Sequence, residues 1–361
     1  MTDADRAAAR QRSPAWDGRR FRNRLEDPPP ARLVRTALRF AFERGEREPP
    51  RPLPTRAVDP RALVGGDREQ ARVTWLGHST AWIELLGYTI LIDPVWARRA
   101  SPIGFAGPRR FQPVPLPLAE LPRPDVIVIS HDHYDHLDRD AVVALGARGD
   151  RFVVALGVGE RLRGWGVPAA QIVELDWWQT VEPVPGLAVH ALPARHFSGR
   201  TTRDRNTTLW AAWAFEAVRG TQRRQIHFGG DGGLDEDQLA EIVARRGEND
   251  LTMLECGGYD AAWSTIHLGP DGALRAHDIL GGVLLPVHWG TFNLAFHAWD
   301  APAEAILADA GDARPLALPT IGETITLGQA LPRAPWWRVV RQEAEAPAPP
   351  ALVAPTAADP P

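Results

Sequence analysis

Lysine is missing from this chain: all 41 basic residues are arginine, set against 45 acidic ones, for a formal net charge of −4. Without a basic excess the chain is a poor electrostatic match for nucleic acid, and no nucleic-acid partner is expected. The arginine-only usage, beside abundant Ala, Pro and Gly, reads as genome composition rather than chemistry. Cysteine is nearly absent too. The single Cys256 excludes an internal disulfide framework and fits a reducing compartment. A small buried residue is the natural reading of it, a reactive thiol the alternative. No apolar run approaches the ~20 residues that cross a bilayer, and the start of the chain lacks the basic-then-apolar pattern of a secretory signal. A cytoplasmic protein is expected.

What is present is a long series of short apolar runs. Residues 1–70 form an irregular arm rich in Arg and Pro, punctuated by Pro28-Pro29-Pro30 and Pro49-Pro50. One short helix is expected there, near 31–44; its arginine-rich apolar face either packs on the domain or touches an anionic membrane surface. The segment 341–361 is Ala, Pro and Glu without periodicity and is expected to be disordered. Between them, over 71–335, strands are expected at Val73–Leu76, Ala81–Leu86, Thr89–Ile92, Val126–Ile129, Phe152–Leu156, Leu187–Leu192, Leu209–Phe215, Gln225–Phe228, Leu251–Leu254 and Val283–Val287. Helices are expected around 138–147, 158–165, 235–246 and 270–280. Strands dominate with helices between them, so an α/β domain of two sheets covered by helices is the natural packing.

Directly after the run Val126–Ile129 stands Ser130-His131-Asp132-His133-Tyr134-Asp135-His136. His-x-His-x-Asp-His at the end of a buried strand has few uses other than holding metal, and imidazole with carboxylate suits zinc, iron or manganese. Three further runs end in a ligand-type residue: His196 after Leu192-Pro193, Asp231 after Phe228-Gly229-Gly230, and His288 after Pro286-Val287. If those strand ends share one rim, His131, His133 and His196 hold one ion, while Asp135, His136 and His288 hold a second. Asp231 then bridges them. Two ions about 3.5–4 Å apart can share a hydroxide of near-neutral pKa, a ready nucleophile, with Asp135 and Asp231 the acids at the reacting centre.

The His131–His136 motif resembles the hallmark of the metallo-β-lactamase superfamily. The likeness is greater still to the N-acylphosphatidylethanolamine-hydrolysing phospholipase D family and its bacterial relatives. It extends to Trp75-Leu76-Gly77-His78-Ser79-Thr80, Ile92-Asp93-Pro94-Val95, Gly107-Pro108-Arg109-Arg110-Phe111, His196-Phe197-Ser198-Gly199-Arg200, Gly230-Asp231 and His288-Trp289-Gly290-Thr291-Phe292, spanning about residues 72 to 300. The resemblance implies an αββα sandwich with two mixed, mostly antiparallel sheets flanked by helices and the metals at one edge. It implies two zinc ions per chain, with iron or manganese as alternatives, and a phosphodiesterase acting on a phospholipid or other phosphodiester. Transient contact with a membrane surface, on its inner face, would follow from a lipid substrate. A lactonase or a phosphodiesterase of soluble substrates on the same site is the alternative, and an iron-bound oxidoreductase of the superfamily the more distant one. Gly232 stands where relatives often carry Thr, and Glu255-Cys256-Gly257-Gly258-Tyr259-Asp260 departs from the family pattern near the expected substrate mouth. Those departures bear on substrate, not on the metal chemistry.

Four other residues are candidates for orienting ligands or contacting substrate. Asp93 either orients a ligand imidazole or starts a turn before Pro94. His78 either faces the metals or is structural. His267 and His277 flank an expected helix start and either approach the site or cap and pack that helix. His190, His227 and His297 are read as structural. Arg98, Arg99, Arg109 and Arg110 form a local positive cluster that either attracts a phosphate-bearing substrate or is, residue by residue, the ordinary surface arginine of an arginine-rich chain. The 14 tryptophans point to large apolar clusters; core packing accounts for most of them, with a lipid-sized groove the alternative.

Overall fold

Val126-Ile127-Val128-Ile129 is too short for a helix and apolar at every position, so it belongs inside a sheet covered on both faces. It lies there. The computed structural model describes residues 3–26, 39, 43 and 45–345. The strands are β1 (Ala71–Gly77), β2 (Thr80–Leu85), β3 (Tyr88–Ile92), β4 (Val126–Ile129), β5 (Phe152–Ala155), β6 (Ile172–Leu175) and β7 (Thr180–Val184). They continue as β8 (Leu187–Leu192), β9 (Ala212–Arg219), β10 (Gln222–Phe228), β11 (Leu251–Glu255), β12 (Val283–Val287) and β13 (Thr324–Thr326). The helices are α1 (Asp3–Arg12), α2 (Arg139–Ala147), α3 (Val158–Gly164), α4 (Glu236–Arg246), α5 (Gly269–Leu280), α6 (Ala301–Asp309) and α7 (Arg338–Glu345).

Two sheets result, ordered β13-β1-β2-β3-β4-β5-β6 and β12-β11-β10-β9-β8-β7. Each is partly antiparallel and partly parallel: β3–β4–β5–β6 and β10–β11–β12 run parallel, β3 reaching β4 through a long loop and the other parallel pairs through helical crossovers. One apolar core runs through both. Helix α3 packs on β5 and β6, while α5 packs on β11 with α4 and α6 beside it. The expected αββα sandwich is what is found.

Several local expectations are corrected. The run Leu209–Phe215 is not one strand: β9 starts at Ala212, and Leu209–Ala211 crosses between layers, its amides donating to Leu156 O and Ser130 O. An apolar run marks burial, and burial need not mean a ladder. The half-exposed edge strands β6, β7 and β13 and the helices α1, α6 and α7 were not anticipated, and α1 stands in the arm, where the one helix was expected near 31–44. The helix expected near 31–44 falls almost wholly outside the described residues. The tail expected to be disordered from 341 begins within α7, and its remainder from 346 lies outside the described residues. The N-terminal arm is fastened to the domain: Ser13 Oγ donates to Asp176 (3.0 Å), and fully buried Phe21 donates its amide to Asn206 O (2.9 Å).

Candidate metal centre

Seven strands deliver chemistry to one rim. From the first sheet, β1 leads to His78, β3 to Asp93 and β4 to the His131–His136 loop; from the second, β8 leads to His196, β10 to Asp231 and β12 to His288, while β11 ends in Glu255. The loop after β4 is a single helical turn, with the amides of His136 and Leu137 donating to His133 O at 3.2 and 2.8 Å. That turn folds its alternate polar side chains inward. Among the described residues six non-glycines have positive φ, and three of them sit on this rim: His78 (54°), Asp93 (40°) and His288 (64°). Such backbone strain persists where the surroundings over-determine it, and it collects at functional sites.

The side chains gather into two groups beside Asp231, and a third, Asp231, Glu255, His267 and His288, overlaps them. In the first, His133 Nδ1 lies 2.8 Å from His131 Nε2 and 3.3 Å from His196 Nε2, with Asp231 Oδ2 at 3.9 and 3.8 Å from those two. In the second, Asp135 Oδ2 lies 3.0 Å from His78 Nε2, 3.3 Å from His288 Nε2 and 3.5 Å from His136 Nε2. Asp231 also reaches this group, 3.1 Å from His136 and 3.2 Å from His288. Ligand atoms within each group lie within 4.8 Å of one another.

For three of the rings, hydrogen bonds on the far side fix which nitrogen faces inward. His196 Nδ1 donates to Ile266 O (2.8 Å), so its Nε2 presents a lone pair to the centre. Ser130 Oγ donates to Asp93 (2.6 Å) and therefore accepts from His131 Nδ1 (2.9 Å), again leaving an inward lone pair. His136 Nδ1 donates to Asp93 Oδ2 (2.7 Å), which leaves its Nε2 facing Asp231 Oδ1 at 3.1 Å. Lone pairs and carboxylates facing one another in a dry rim need a cation between them. Neutral imidazole and carboxylate are also the ligand set for zinc, iron or manganese, so the residues present fit a pair of divalent metals.

The protonation balance says the same. Burial opposes charge on every imidazole here, and it keeps His131, His133 and His196 below their ordinary pKa. For His288, burial is outweighed by the carboxylates of Asp231 and Asp135, which push it up to about 10; His136 is raised in the same way. Burial would also raise Asp231 and Asp135, but the adjacent imidazoles hold both well below the usual carboxylate range. The carboxylates that favour a proton here also favour a metal ion in its place.

Behind His288 lies a pair that the sequence reading did not assemble. Glu255 is fully buried; its Oε1 accepts from the amides of Gly232 (2.7 Å) and Leu268 (3.2 Å), and its Oε2 bonds His267 Nδ1 (2.5 Å) and lies 3.7 Å from His288 Nδ1. Glu255 follows Leu251–Leu254 directly, so the pattern of strand ends that marked Asp231 and His288 would have marked it too. Gly258 makes room here. A Cβ on it would lie 2.9 Å from His288 Cε1, and its φ is +71°. Asp132, also unassigned, is buried and accepts from Arg161 (2.9 Å) and the Gly199 amide (2.7 Å), tying the His131 loop to the His196 loop.

The β-lactamase superfamily domain matches residues 88–289, more than half of the chain. This chain belongs to the metallo-β-lactamase superfamily. It is 48% identical over 283 residues to an uncharacterised protein of Mycobacterium tuberculosis, covering 77% of this chain and 74% of that one. It is 34% identical over 267 residues to N-acyl-phosphatidylethanolamine-hydrolyzing phospholipase D 1 of Caenorhabditis elegans, covering 71% and 74%. Among solved structures, a possible metal-dependent hydrolase from Veillonella parvula superposes with a TM-score of 0.56 at 18% identity, covering 72% of this chain and all of that one. The protein is a metal-dependent hydrolase.

Within this superfamily hydrolase the candidate residues divide cleanly. His131, His133, Asp135, His136, His196, Asp231 and His288 converge; His78, Asp93 and His267 adjoin them. His277 does not. It lies in the last turn of α5, about 12 Å along the helix from its start by helical rise, and bonds Gly282 O (2.9 Å) and Arg314 (2.7 Å) as a packing residue. Arg110 is structural as well: it is buried against Val95 O (2.6 Å), and burial lowers its pKa to about 10. The Cys256 thiol is buried and pushed well above its ordinary pKa by that burial, the small buried residue rather than the reactive thiol. Several tryptophans back the site, with Trp289 packed on Trp75, Trp336 and Trp337 at ring distances of 5.2–5.6 Å.

Proposed function

We propose that this hydrolase is a dinuclear zinc phosphodiesterase of the N-acylphosphatidylethanolamine phospholipase D type, acting on a phospholipid at the inner face of a membrane. The observation that carries the reading is Asp231 lying between two imidazole groups, each completed by its own ligands, in a chain 34% identical to a nematode enzyme of that name. His131, His133 and His196 would hold one ion, and Asp135, His136 and His288 the other, with His78 beside Asp135. Bound there, two zinc ions would supply an acidified water as nucleophile and Lewis acidity toward a phosphoryl oxygen. The chain's own residues supply the rest. Asp93 and Ile266 O fix the rings of His136 and His196, and such outer partners are typically worth 10–100-fold in metal affinity or activity. Glu255 holds His267 beside His196 and His288, with ring centroids 5.3 and 5.4 Å apart, where its free nitrogen can bond a substrate oxygen. The buried rim excludes bulk water and strengthens each of these electrostatic contacts.

The test is hydrolysis by metal-quantified protein, wild type beside Asp231→Ala, of N-acylphosphatidylethanolamine and of bis(p-nitrophenyl) phosphate. Release of N-acylethanolamine, about two zinc ions per chain and a loss of more than about 100-fold in the variant are expected. Turnover of the aryl ester alone removes the lipid from the reading. Opening of lactones with both phosphodiesters untouched overturns it, as does oxidation chemistry from an iron-loaded protein.

A further inference from the structure

Where the chain leaves β3 for β4 it skirts an open cavity of about 570 Å³ that no metal-centre histidine lines. Its wall carries Arg98, Arg99, Arg139 and Arg200, with Tyr134 and Trp165 as aromatic sides. Arg200 is a fixed cation: Nη1 donates to Asp132 O (2.8 Å) and Leu137 O (2.9 Å), and the guanidinium lies 3.8 Å from the Tyr134 ring centre and 5.2 Å from that of Trp165. Arg99 is braced on Gly107 O (2.5 Å). Arg98 and Arg139 are exposed, and neither has an acidic side-chain partner among the described residues. Two carboxylates also line the cavity. Asp138 already accepts from the amides of Trp96, Ala97, Asp140 and Ala141, and Asp140 stands at the exposed rim. Four guanidinium groups therefore face two carboxylates, one of them already saturated. Like charges so placed repel one another, and an anion relieves that repulsion. Guanidinium forks match the oxygens of a phosphate in particular.

Beside this basic cavity the chain exposes its most conspicuous apolar tip. Ile103 is 45% and Phe105 83% exposed, the latter the most exposed large hydrophobic side chain among the described residues. An aromatic and an aliphatic tip next to a basic pocket is the composition of an interfacial membrane contact. We infer that the cavity holds the headgroup phosphate of an anionic lipid in a bilayer while Ile103 and Phe105 enter the interface. This surface docks the enzyme beside the Tyr134 loop, which carries the ligands of the metal centre. The inference rests on the membrane-substrate reading above for its purpose, but its test needs no turnover.

The test is co-sedimentation of the metal-loaded full chain with vesicles of phosphatidylcholine alone, or of phosphatidylcholine containing phosphatidic acid. Binding to the anionic vesicles at least about tenfold stronger is expected, with a similar loss in the double variant Arg98→Glu/Arg139→Glu. Phe105→Ser weakens the attachment that remains. All three residues are exposed, and unchanged melting temperatures show that the variants fold. Equal binding by the charge-reversed protein overturns the inference. So does saturation of the cavity by glycerol phosphate in titration calorimetry with no binding to vesicles, which would assign it to a soluble phosphate. Anionic vesicles bound without lipid cleavage sink only the hydrolytic reading; cleavage of detergent-dispersed lipid without vesicle binding sinks only this one.

Discussion

His227 lies inside β10, 1% exposed, with neither ring nitrogen hydrogen-bonded, and burial lowers its pKa to about 4. In the unfolded chain the same imidazole titrates near 6.5. Between those values the unfolded state binds the extra proton, so the stability associated with a neutral His227 is complete above about pH 6.5 and is lost as pH falls toward 4. The difference amounts to up to about 3 kcal/mol. His227→Leu, apolar and of similar bulk, is expected to flatten the fall of melting temperature between pH 7 and 4; an unchanged slope would place the acid sensitivity elsewhere. Eleven histidines look alike in composition. What separates them in the sequence is position: His190 and His227 fall within runs that become strands, whereas His131, His196 and His288 follow runs that end. That distinction made the cluster of candidate ligands legible. It could not separate His277 from His267, because nothing in one sequence shows how far a helix carries a residue from the rim; Glu255 also follows a run that ends, but its pairing with His267 is visible only in the fold.

At the scale of elements, the turn between β4 and α2 does most to shape the site, and Asp138 holds it. Its Oδ1 caps α2 by accepting from the Asp140 amide (3.0 Å), and its Oδ2 accepts from the amides of Trp96 (3.0 Å) and Ala97 (2.8 Å). Asp138→Ala removes a helix cap and leaves two part-buried amides without a partner, at a cost of about 1–3 kcal/mol. Urea unfolding should show a lower midpoint at unchanged slope. A midpoint equal to wild type would mean that water replaces the carboxylate at both places. The sequence reading found strands where burial is complete, such as β4 and β12, because an unbroken apolar run survives without context. It missed β6 and β7, whose residues are half exposed and include Glu174, Glu182 and Pro183. Edge strands are defined by their neighbours more than by their own composition.

In the whole molecule the two sheets meet twice, once through the apolar core and once through the metal rim. The first sheet contributes His131, His133, Asp135 and His136, and the second His196, Asp231 and His288, so a cation bound by either group fastens layer to layer. Binding only to the folded state stabilises it by mass action, by about 4 kcal/mol at a thousandfold excess over Kd. Dialysis against a chelator is therefore expected to lower the melting temperature and abolish hydrolysis together, and added zinc to restore both. A melting temperature indifferent to metal would contradict ligands shared between the layers. The sandwich itself was readable from the count of strands and the places of helices, since few packings cover so many short apolar runs. The order of strands was not, because pairing is settled by contacts between distant segments.

Asn23, on the N-terminal arm, grips the main chain of His196 from both sides: its Nδ2 donates to His196 O (2.8 Å), and its Oδ1 accepts from His196 N (3.1 Å). Arg24 beside it is anchored on Asp235 (3.0 Å), just past the Asp231 loop. Asn23, with Arg24 as its anchor, thus holds the main chain of one candidate ligand from outside the cluster. A protease, a fused tag or a partner protein that pulls on residues 13–26 would slacken the hold on one ligand without ever entering the cleft.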